Sequence, residues 1–253
     1  MRHAGILAHS PDGSALCYLE LIHLGHARFG SYGHADVTMD YIPLGRSMAA
    51  WESGDYPSIR ATLARSIERL KAAGADFFIC PDNTAHIALE TDGPAFALPG
   101  LNIADVLAEE ARAKGYCRIA LLGTRFTMAG PVYPRALASR NIELRVPRPD
   151  ERVKIDQIIF DELCLGVIRE ESRRAYVDII ARMKAEGCDA VALACTEIPL
   201  LVTPALAPLP TLDSTRLLAK AGFEVTAGER PQPTWRGGPL GEETANERKL
   251  SEY

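Results

Sequence analysis

The sequence predicts an α/β fold with two similar halves, each a mainly parallel sheet flanked by helices. Short apolar runs alternate with helical patterns throughout the chain, which is typical of parallel sheets covered on both faces. In addition, residues 60–86 match residues 173–200 at a spacing of 113 positions. Each copy contains a helix, a glycine stop, a short apolar strand and a polar cluster. This repeat predicts two pseudosymmetric domains with the active site in the cleft between them.

The first half contains three predicted strands and three predicted helices. The clearest helix has apolar residues at Leu63, Ile67 and Leu70, the spacing of an amphipathic helix, and Gly74 supplies its stop. The strand that follows it is a short apolar run bounded by Pro81, which favours a buried parallel strand. In this half we predict strands at residues 4–9, 37–44 and 76–80, and helices at residues 14–24, 60–73 and 102–114.

The second half repeats this alternation and continues into a different kind of sequence. We predict strands at residues 118–123, 142–146, 189–195 and 209–212, and helices at residues 155–165, 170–186, 198–202 and 213–220. From this order we expect a first domain of residues 1–104 plus 206–225 and a second domain of residues 105–205. Residues 226–253 are rich in Gly, Pro and charged residues, so we expect a flexible C-terminal tail.

Charge and hydropathy exclude several classes of function. The net charge is -5 and no basic stripe is present, which argues against a nucleic-acid partner. No apolar run approaches the roughly 18 to 20 residues that span a bilayer, and the apolar stretch at the start is too short for a signal peptide. We therefore expect a cytoplasmic protein without a membrane partner. The six cysteines form no Cys-x-x-Cys pair, and in the cytoplasm they should be reduced.

The repeat places Asp82 opposite Cys195, each directly after a predicted strand. Ligands of open parallel sheets bind outside the carboxyl ends of the strands, so both side chains are candidates for catalysis. Cys195 precedes a predicted helix start, with Thr196 near the cap and Pro199 in the first turn. A helix N-terminus lowers the pKa of a thiol, which favours a reactive cysteine over a buried structural one. Cys80 is interpreted as a core residue.

Two segments carry a family resemblance. Residues 83–86 (Asn-Thr-Ala-His) and residues 195–201 (Cys-Thr-Glu-Ile-Pro-Leu-Leu) resemble the signature segments of the aspartate/glutamate racemase superfamily, and the similarity spans roughly residues 4–224. The resemblance implies a cofactor-independent enzyme and a homodimer, and no metal is expected because no set of His, Cys and Asp residues shows metal-ligand spacing. It also implies that two groups on opposite faces of the substrate remove and return the α-proton, which inversion of a carbon centre requires.

The resemblance assigns roles to individual residues. Cys195 matches one catalytic cysteine of the family, whereas Asp82 stands where the family has the other. An aspartate with an ordinary pKa of about 3.9 is a weak base for a carbon acid, although burial raises such values. Further residues match substrate-binding positions: Arg46 as a bidentate partner of a carboxylate, and Asn83, Thr84, Thr124, Thr196 and Glu197 around the substrate.

Three functions remain open at this stage. The first is a racemase or epimerase of an amino acid or related carboxylic acid that uses Cys195 and Asp82. The second is a lyase resembling arylmalonate decarboxylases, in which Cys195 alone protonates an enediolate. The third is a binding protein that has lost one catalytic base. In members specific for aspartate a lysine often binds the side-chain carboxylate, but Leu165 occupies that position here, so the substrate need not be acidic.

Overall fold

Within residues 1–240, which the computed structural model describes, seven short strands form two all-parallel sheets. The order of the first sheet is β2-β1-β3 and that of the second is β5-β4-β6-β7. The order β5-β4-β6 repeats the order β2-β1-β3, which confirms the predicted α/β fold with two pseudosymmetric halves. The strands are β1 (Ala4–Ala8), β2 (Val37–Tyr41), β3 (Phe77–Ile79), β4 (Arg118–Gly123), β5 (Glu143–Arg145), β6 (Ala190–Ala194) and β7 (Thr211–Asp213).

Helices cover both faces of the two sheets. None of the helices within residues 1–240 is long and apolar enough to cross a membrane. Single 3-10 turns occur at Leu44–Arg46 and Leu163–Leu165. The helices are α1 (Pro11–Phe29), α2 (Met48–Ser53), α3 (Tyr56–Ala72), α4 (Ala85–Leu89), α5 (Ile103–Ala113), α6 (Arg125–Ala129), α7 (Val132–Ala138), α8 (Pro149–Asp161), α9 (Glu170–Ala185), α10 (Ile198–Leu201) and α11 (Ser214–Ala227).

The repeated aspartates play the same structural part in both halves. The carboxylate of Asp76 accepts a hydrogen bond of 2.8 Å from the backbone N–H of His3, just before β1. The carboxylate of Asp189 accepts one of 2.6 Å from the backbone N–H of Cys117, just before β4. Asp76 thus ties the start of β3 to the start of β1, and Asp189 ties the start of β6 to the start of β4. This bond fixes the register that brings Asp82 and Cys195 to equivalent places.

The domain to which residues 206–225 belong differs from the prediction. Residues 206–225 do not all belong to the first domain, because β7 pairs with β6 in the second sheet. The helix after β7 returns to the first half, where α11 packs against α1 and α5. A strand of three residues carries too little pattern to reveal which sheet it joins. The chain therefore leaves the first half once, completes the second sheet and then returns.

Residues 228–240, predicted to belong to a flexible tail, pack against the first half instead. Trp235 lies with its ring 6.2 Å from that of Phe78 and 6.2 Å from that of His86, nearly parallel to the latter at 15°. The backbone N–H of Gly100 donates a 2.8 Å hydrogen bond to the carbonyl of Trp235. Trp235 anchors this segment, although the average composition of the segment is polar and therefore predicts no packing. The remainder of the predicted tail, residues 241–253, lies outside the described residues.

A partly buried ion-pair cluster joins the two halves. The guanidinium of Arg135 on α7 donates hydrogen bonds of 2.9 Å to Glu90, just after α4, and of 2.8 Å to Asp105 on α5. The side chain of Arg135 is only 16% exposed, so removal of one of its ion-pair partners would leave an unpaired charge where little water can solvate it. This cluster holds the segment after Asp82 against the second half.

Candidate active site

A cavity of about 60 Å³ lies between the two halves, at the carboxyl ends of β3 and β6. One bound water needs only about 10 to 15 Å³, so the cavity has room for a small ligand. Asp82 from the first half and Cys195 from the second half both line it, as the repeat predicts. The other lining residues are Ser10, Leu44, Met48, Trp51, Asn83, Thr84, Thr124, Phe126, Ile159, Phe160, Cys164, Ala194, Thr196 and Glu197.

Glu197 organises the side of the cavity that carries Cys195. Its carboxylate accepts hydrogen bonds from the thiol of Cys195 at 3.0 Å and from the hydroxyl of Thr196 at 2.8 Å. The hydroxyl of Ser10, from the first half, donates to the other carboxylate oxygen. Glu197 is 3% exposed, so these three donors replace the water that a carboxylate would otherwise bind. The thiol is therefore held in place by a buried acceptor.

The thiol of Cys195 is neutral at rest, contrary to the sequence prediction. Burial raises the pKa of Cys195 well above its ordinary value, and the nearby negative charge of Glu197 raises this pKa further. Helix α10 has only four residues, and Glu197 occupies its N-cap without a side-chain capping bond. Thr196 precedes this N-cap, and its hydroxyl donates to Glu197. Burial, together with the charge of the carboxylate, thus outweighs any effect of the helix terminus on the pKa of the thiol.

Asp82 offers the opposite kind of group, a half-buried carboxylate with one free oxygen. Oδ1 of Asp82 accepts a 3.1 Å hydrogen bond from the backbone N–H of Ala85, at the start of α4. Oδ2 accepts none from the described residues. A carboxylate oxygen that lines a cavity without a protein donor is available to a ligand or to a proton. The cavity is therefore lined by a carboxylate with a free oxygen, Asp82, and by a buried thiol, Cys195.

His86 is a structural residue of the turn that presents Asp82. Its Nε2 accepts a 3.2 Å hydrogen bond from the backbone N–H of Ile103, so its Nδ1 carries the proton and donates to the carbonyl of Asp82 at 2.9 Å. The ring is fully buried, and burial lowers the pKa of His86. His86 is not among the residues that line the cavity. In its neutral form, His86 thus holds the backbone carbonyl of Asp82 in place.

Asn83 is held at both ends of its side-chain amide. Its Oδ1 accepts a 2.6 Å hydrogen bond from the hydroxyl of Tyr133, and its Nδ2 donates to the hydroxyl of Ser214 at 3.0 Å. Ser214 in turn donates to the carbonyl of Leu193 on β6. Asn83 therefore links the turn after β3 to the strand that carries Cys195. This linkage sets the distance across the cavity.

Three threonine hydroxyls form a cluster, and two of these threonines, Thr84 and Thr124, line the cavity. The hydroxyl of Thr84 lies 2.9 Å from that of Thr124 and 3.0 Å from that of Thr127. Thr124 also caps α6, because its hydroxyl accepts a bond from the backbone N–H of Thr127. Hydroxyls rotate to suit their partners, so Thr84 and Thr124 are able to turn a proton towards an anionic ligand.

The predicted role of Arg46 is not supported by its position. Arg46 lies at the end of the 3-10 turn Leu44–Arg46, where it is exposed and does not line the cavity, whereas Leu44 of the same turn does. The side chains of a single turn point in different directions, so Leu44 faces the cavity while Arg46 faces solvent. The carboxylate-binding function predicted for this arginine has no counterpart in the cavity.

Ser10, Gly13 and Cys164 are among the residues at the site that were not predicted from the sequence. Ser10 and Gly13 stand at the start of α1, and a Cβ added to Gly13 would lie 2.1 Å from the Cβ of Thr196. Cys164 also lines the cavity, and burial raises its pKa to about 12, assisted by the charges of Glu197 and Asp82. Among residues 1–240, no group of His, Cys, Asp and Glu side chains is arranged to hold a metal ion.

Comparisons with known proteins agree with this geometry. Residues 6–222 match the model of the Asp/Glu/Hydantoin racemase family. A structure from Yersinia pestis, provisionally named an Asp/Glu racemase, is 30% identical, covers 90% of this chain and 100% of its own, and superposes with a TM-score of 0.79. An aspartate racemase homologue from Pyrococcus horikoshii shares the fold, with 24% identity, coverage of 90% and 100%, and a TM-score of 0.73. The broad specificity amino-acid racemase RacX of Bacillus subtilis is 22% identical over 171 residues, 66% of this chain and 72% of RacX.

Proposed function

Because the chain belongs to the Asp/Glu/hydantoin racemase family, we propose that it is a cofactor-independent racemase or epimerase of an amino acid or related carboxylic acid. The observation that carries this proposal is the shared cavity lined by Asp82 and Cys195, which occupy equivalent points of the repeat. The pseudosymmetry of the two halves supports an approach to the substrate from opposite sides. Inversion of a carbon centre needs one proton acceptor and one proton donor in this arrangement.

The charge states of Asp82 and Cys195 determine which residue removes the proton and which delivers it in the first turnover of the resting enzyme. The free carboxylate oxygen of Asp82 removes the α-proton of the substrate, and the electron pair of the broken C–H bond moves into the α-carboxyl group. The neutral thiol of Cys195 then delivers its proton to the other face of the α-carbon. After this turnover Asp82 carries a proton and Cys195 is a thiolate, which is the state that accepts the opposite enantiomer.

Glu197 and the threonines support these two proton transfers. The thiolate formed on Cys195 regains a proton from solvent, Asp82 releases its proton to solvent, and the thiol again donates to Glu197 across the 3.0 Å hydrogen bond. Negative charge that develops on the substrate carboxylate is stabilised by the hydroxyls of Thr84 and Thr124 in a poorly solvated cavity. In this proposal Asn83 and Thr196 position the two catalytic residues rather than contact the reacting carbon.

Solvent-deuterium exchange tests the two-base mechanism directly. The purified protein is incubated with single D- and L-amino acids in deuterated water, and loss of the α-proton signal is followed by NMR. We expect Cys195→Ala and Asp82→Asn each to reduce racemisation at least 100-fold, the usual scale of general acid/base catalysis. Cys117→Ala, which removes an exposed thiol, is the matched control and should keep full activity. Cys195→Ala should still exchange the enantiomer whose α-proton faces Asp82, so full racemisation, or undiminished exchange of both enantiomers, in this variant would refute the mechanism.

One observation also favours the lyase alternative. A decarboxylase of the arylmalonate type needs a neutral thiol as proton donor and an apolar pocket, and both features occur here. Incubation with a disubstituted malonate, with release of carbon dioxide as the readout, separates the two reactions. Release that survives Asp82→Asn but not Cys195→Ala would favour the lyase, and absence of release would exclude it for that substrate class. The homodimer implied by the family resemblance and the cytoplasmic location expected from the sequence stay predictions.

A further inference from the structure

The cavity has an unbalanced set of charges. Asp82 and Glu197 are its formally charged lining residues, and no Lys or Arg lines it. Arg125 lies next to the lining residue Phe126, but its guanidinium forms a 2.8 Å ion pair with Asp156. The fixed charge of the cavity is therefore negative, with nothing among the lining side chains to offset it.

The remaining wall is apolar and is built from both halves. Trp51 of the first half meets Phe126 of the second half with ring centroids 5.7 Å apart, which makes the apolar surface continuous across the cleft. Such a wall stabilises a ligand by removing hydrocarbon surface from water, about 25 cal/mol per Å². The residues of this wall are Leu44, Met48, Trp51, Phe126, Ile159 and Phe160.

These two features select among amino acids by the charge of the side chain. Every zwitterionic amino acid brings one ammonium group, which the carboxylates of Asp82 and Glu197 attract, and one α-carboxylate, for which Thr84 and Thr124 offer hydroxyl donors. An acidic amino acid adds a second carboxylate, and this charge would be buried near Asp82 and Glu197 with no cationic side chain among the lining residues to pair with it. Burying an unpaired charge is among the costliest steps in binding.

We propose that the substrate is an amino acid with an uncharged, apolar side chain, which packs on the wall formed by Trp51, Phe126 and the neighbouring apolar residues. This inference rests on the proposed racemase function for the identity of the reaction, and on the composition of the cavity for the identity of the ligand. It agrees with the sequence, in which Leu165 stands where a carboxylate-binding lysine often occurs in the family. Leu165 is 71% exposed and does not line the cavity, so it supplies no contact to a ligand there.

Binding and exchange, measured separately, test the inference. Both enantiomers of leucine, methionine, phenylalanine, aspartate and glutamate are titrated into the protein by calorimetry, and the same ten compounds are used in the deuterium-exchange assay. We expect the apolar amino acids to bind at least 10-fold more tightly than the acidic ones, and to be the ones that exchange.

The possible outcomes separate the two proposals. Apolar amino acids that bind without exchange would overturn the racemase function and leave the ligand class supported. Binding and exchange of aspartate or glutamate, without that of the apolar compounds, would overturn the ligand class and leave the racemase function supported. If none of the ten compounds binds, both proposals fail.

A charge-introducing variant provides a second test. Met48 lines the cavity at the start of α2, where a lysine of similar length would supply the missing cation. We expect Met48→Lys to increase the affinity for aspartate at least 10-fold, whereas the matched neutral variant Met48→Gln does not. Thermal melting confirms that both variants are folded. Equal affinity for aspartate in the two variants would contradict the electrostatic basis of the selection.

Discussion

At the scale of single residues, the absence of a side chain at Gly13 matters as much as the side chains that are present. The first turn of α1 approaches Thr196 so closely that a methyl group at Gly13 would overlap the threonine. Thr196 stands between Cys195 and Glu197 and donates to the latter. The close approach of the first half therefore holds the segment that carries the thiol.

Replacement of this glycine should damage the site. In Gly13→Ala the added Cβ displaces Thr196, at a cost of about 1–3 kcal/mol in unfolding free energy. We expect activity to fall at least 10-fold, because small misplacements of catalytic groups are costly. Urea denaturation and a racemisation assay measure the two effects. Gly45→Ala is the control, since nothing lies within 4 Å of its added Cβ. Equal behaviour of the two variants would show that the contact is not important.

Glu197 controls the ionisation of Cys195, and its removal has a predictable sign. Glu197→Gln eliminates the negative charge that raises the pKa of Cys195, although the larger contribution from burial remains. The pH profile for alkylation of Cys195 by iodoacetamide should therefore shift to lower pH. Mass spectrometry of the modified peptide distinguishes Cys195 from Cys164. A profile that stays in place, or moves to higher pH, would contradict the assigned role of Glu197.

At the scale of elements, the sequence predicted what periodicity and repetition can reveal. The long helices α3 and α9 and the buried strands β4 and β6 were found within a few residues, because each has a clear apolar pattern. Helices α2, α4, α6 and α7 were not predicted as elements. They have seven residues or fewer, so they contain too few turns to show a period.

The candidate site was predictable where a motif or the repeat marked it. Asp82, Asn83, Thr84 and the segment from Cys195 to Glu197 all line the cavity, although their catalytic roles stay predictions. Ser10 and Cys164 reach the cavity only through the packing of distant elements, which no local pattern encodes. The raised pKa of Cys195 was missed for the same reason, since it depends on burial and on the orientation of one carboxylate.

The packed segment of residues 228–240 gives the element-scale prediction. Trp235→Ala removes the ring that lies against Phe78 and His86, and leaves a gap behind the turn that presents Asp82. We expect a loss of about 1–3 kcal/mol in stability, a lower melting temperature and reduced activity. Trp235→Phe keeps an aromatic ring and should retain most of the stability. If Trp235→Ala melts like the unaltered protein, this segment does not support the turn.

At the scale of the whole molecule, the buried imidazole of His86 makes stability depend on pH. Burial lowers the pKa of His86 in the folded state, whereas in the unfolded chain a histidine titrates near about 6.5. The unfolded state thus binds the proton more readily. The stabilisation is fully present above the unfolded pKa and is lost as the pH falls towards the folded pKa.

Urea denaturation at pH 7.5, 6.5 and 5.5, chosen to bracket the unfolded pKa of about 6.5, measures this dependence. We expect the unfolding free energy of the unaltered protein to fall across this interval. His86→Asn lacks the titrating ring, so its unfolding free energy should fall less over the same range even if it is lower throughout. Parallel curves for the two proteins would exclude His86 as the titrating group.

The return of the chain to the first half has a consequence for synthesis on the ribosome. One face of the first sheet is covered by α11, whose residues Leu218 and Phe223 share an apolar cluster with Ile6 and Leu21. The second sheet is complete once β7 has emerged, before α11 is made. Domains usually fold in the order in which they are translated. Here the half that is translated first must wait for the helix that ends at Ala227, so a nascent chain keeps an uncovered apolar face that chaperones can bind until the second half has been translated.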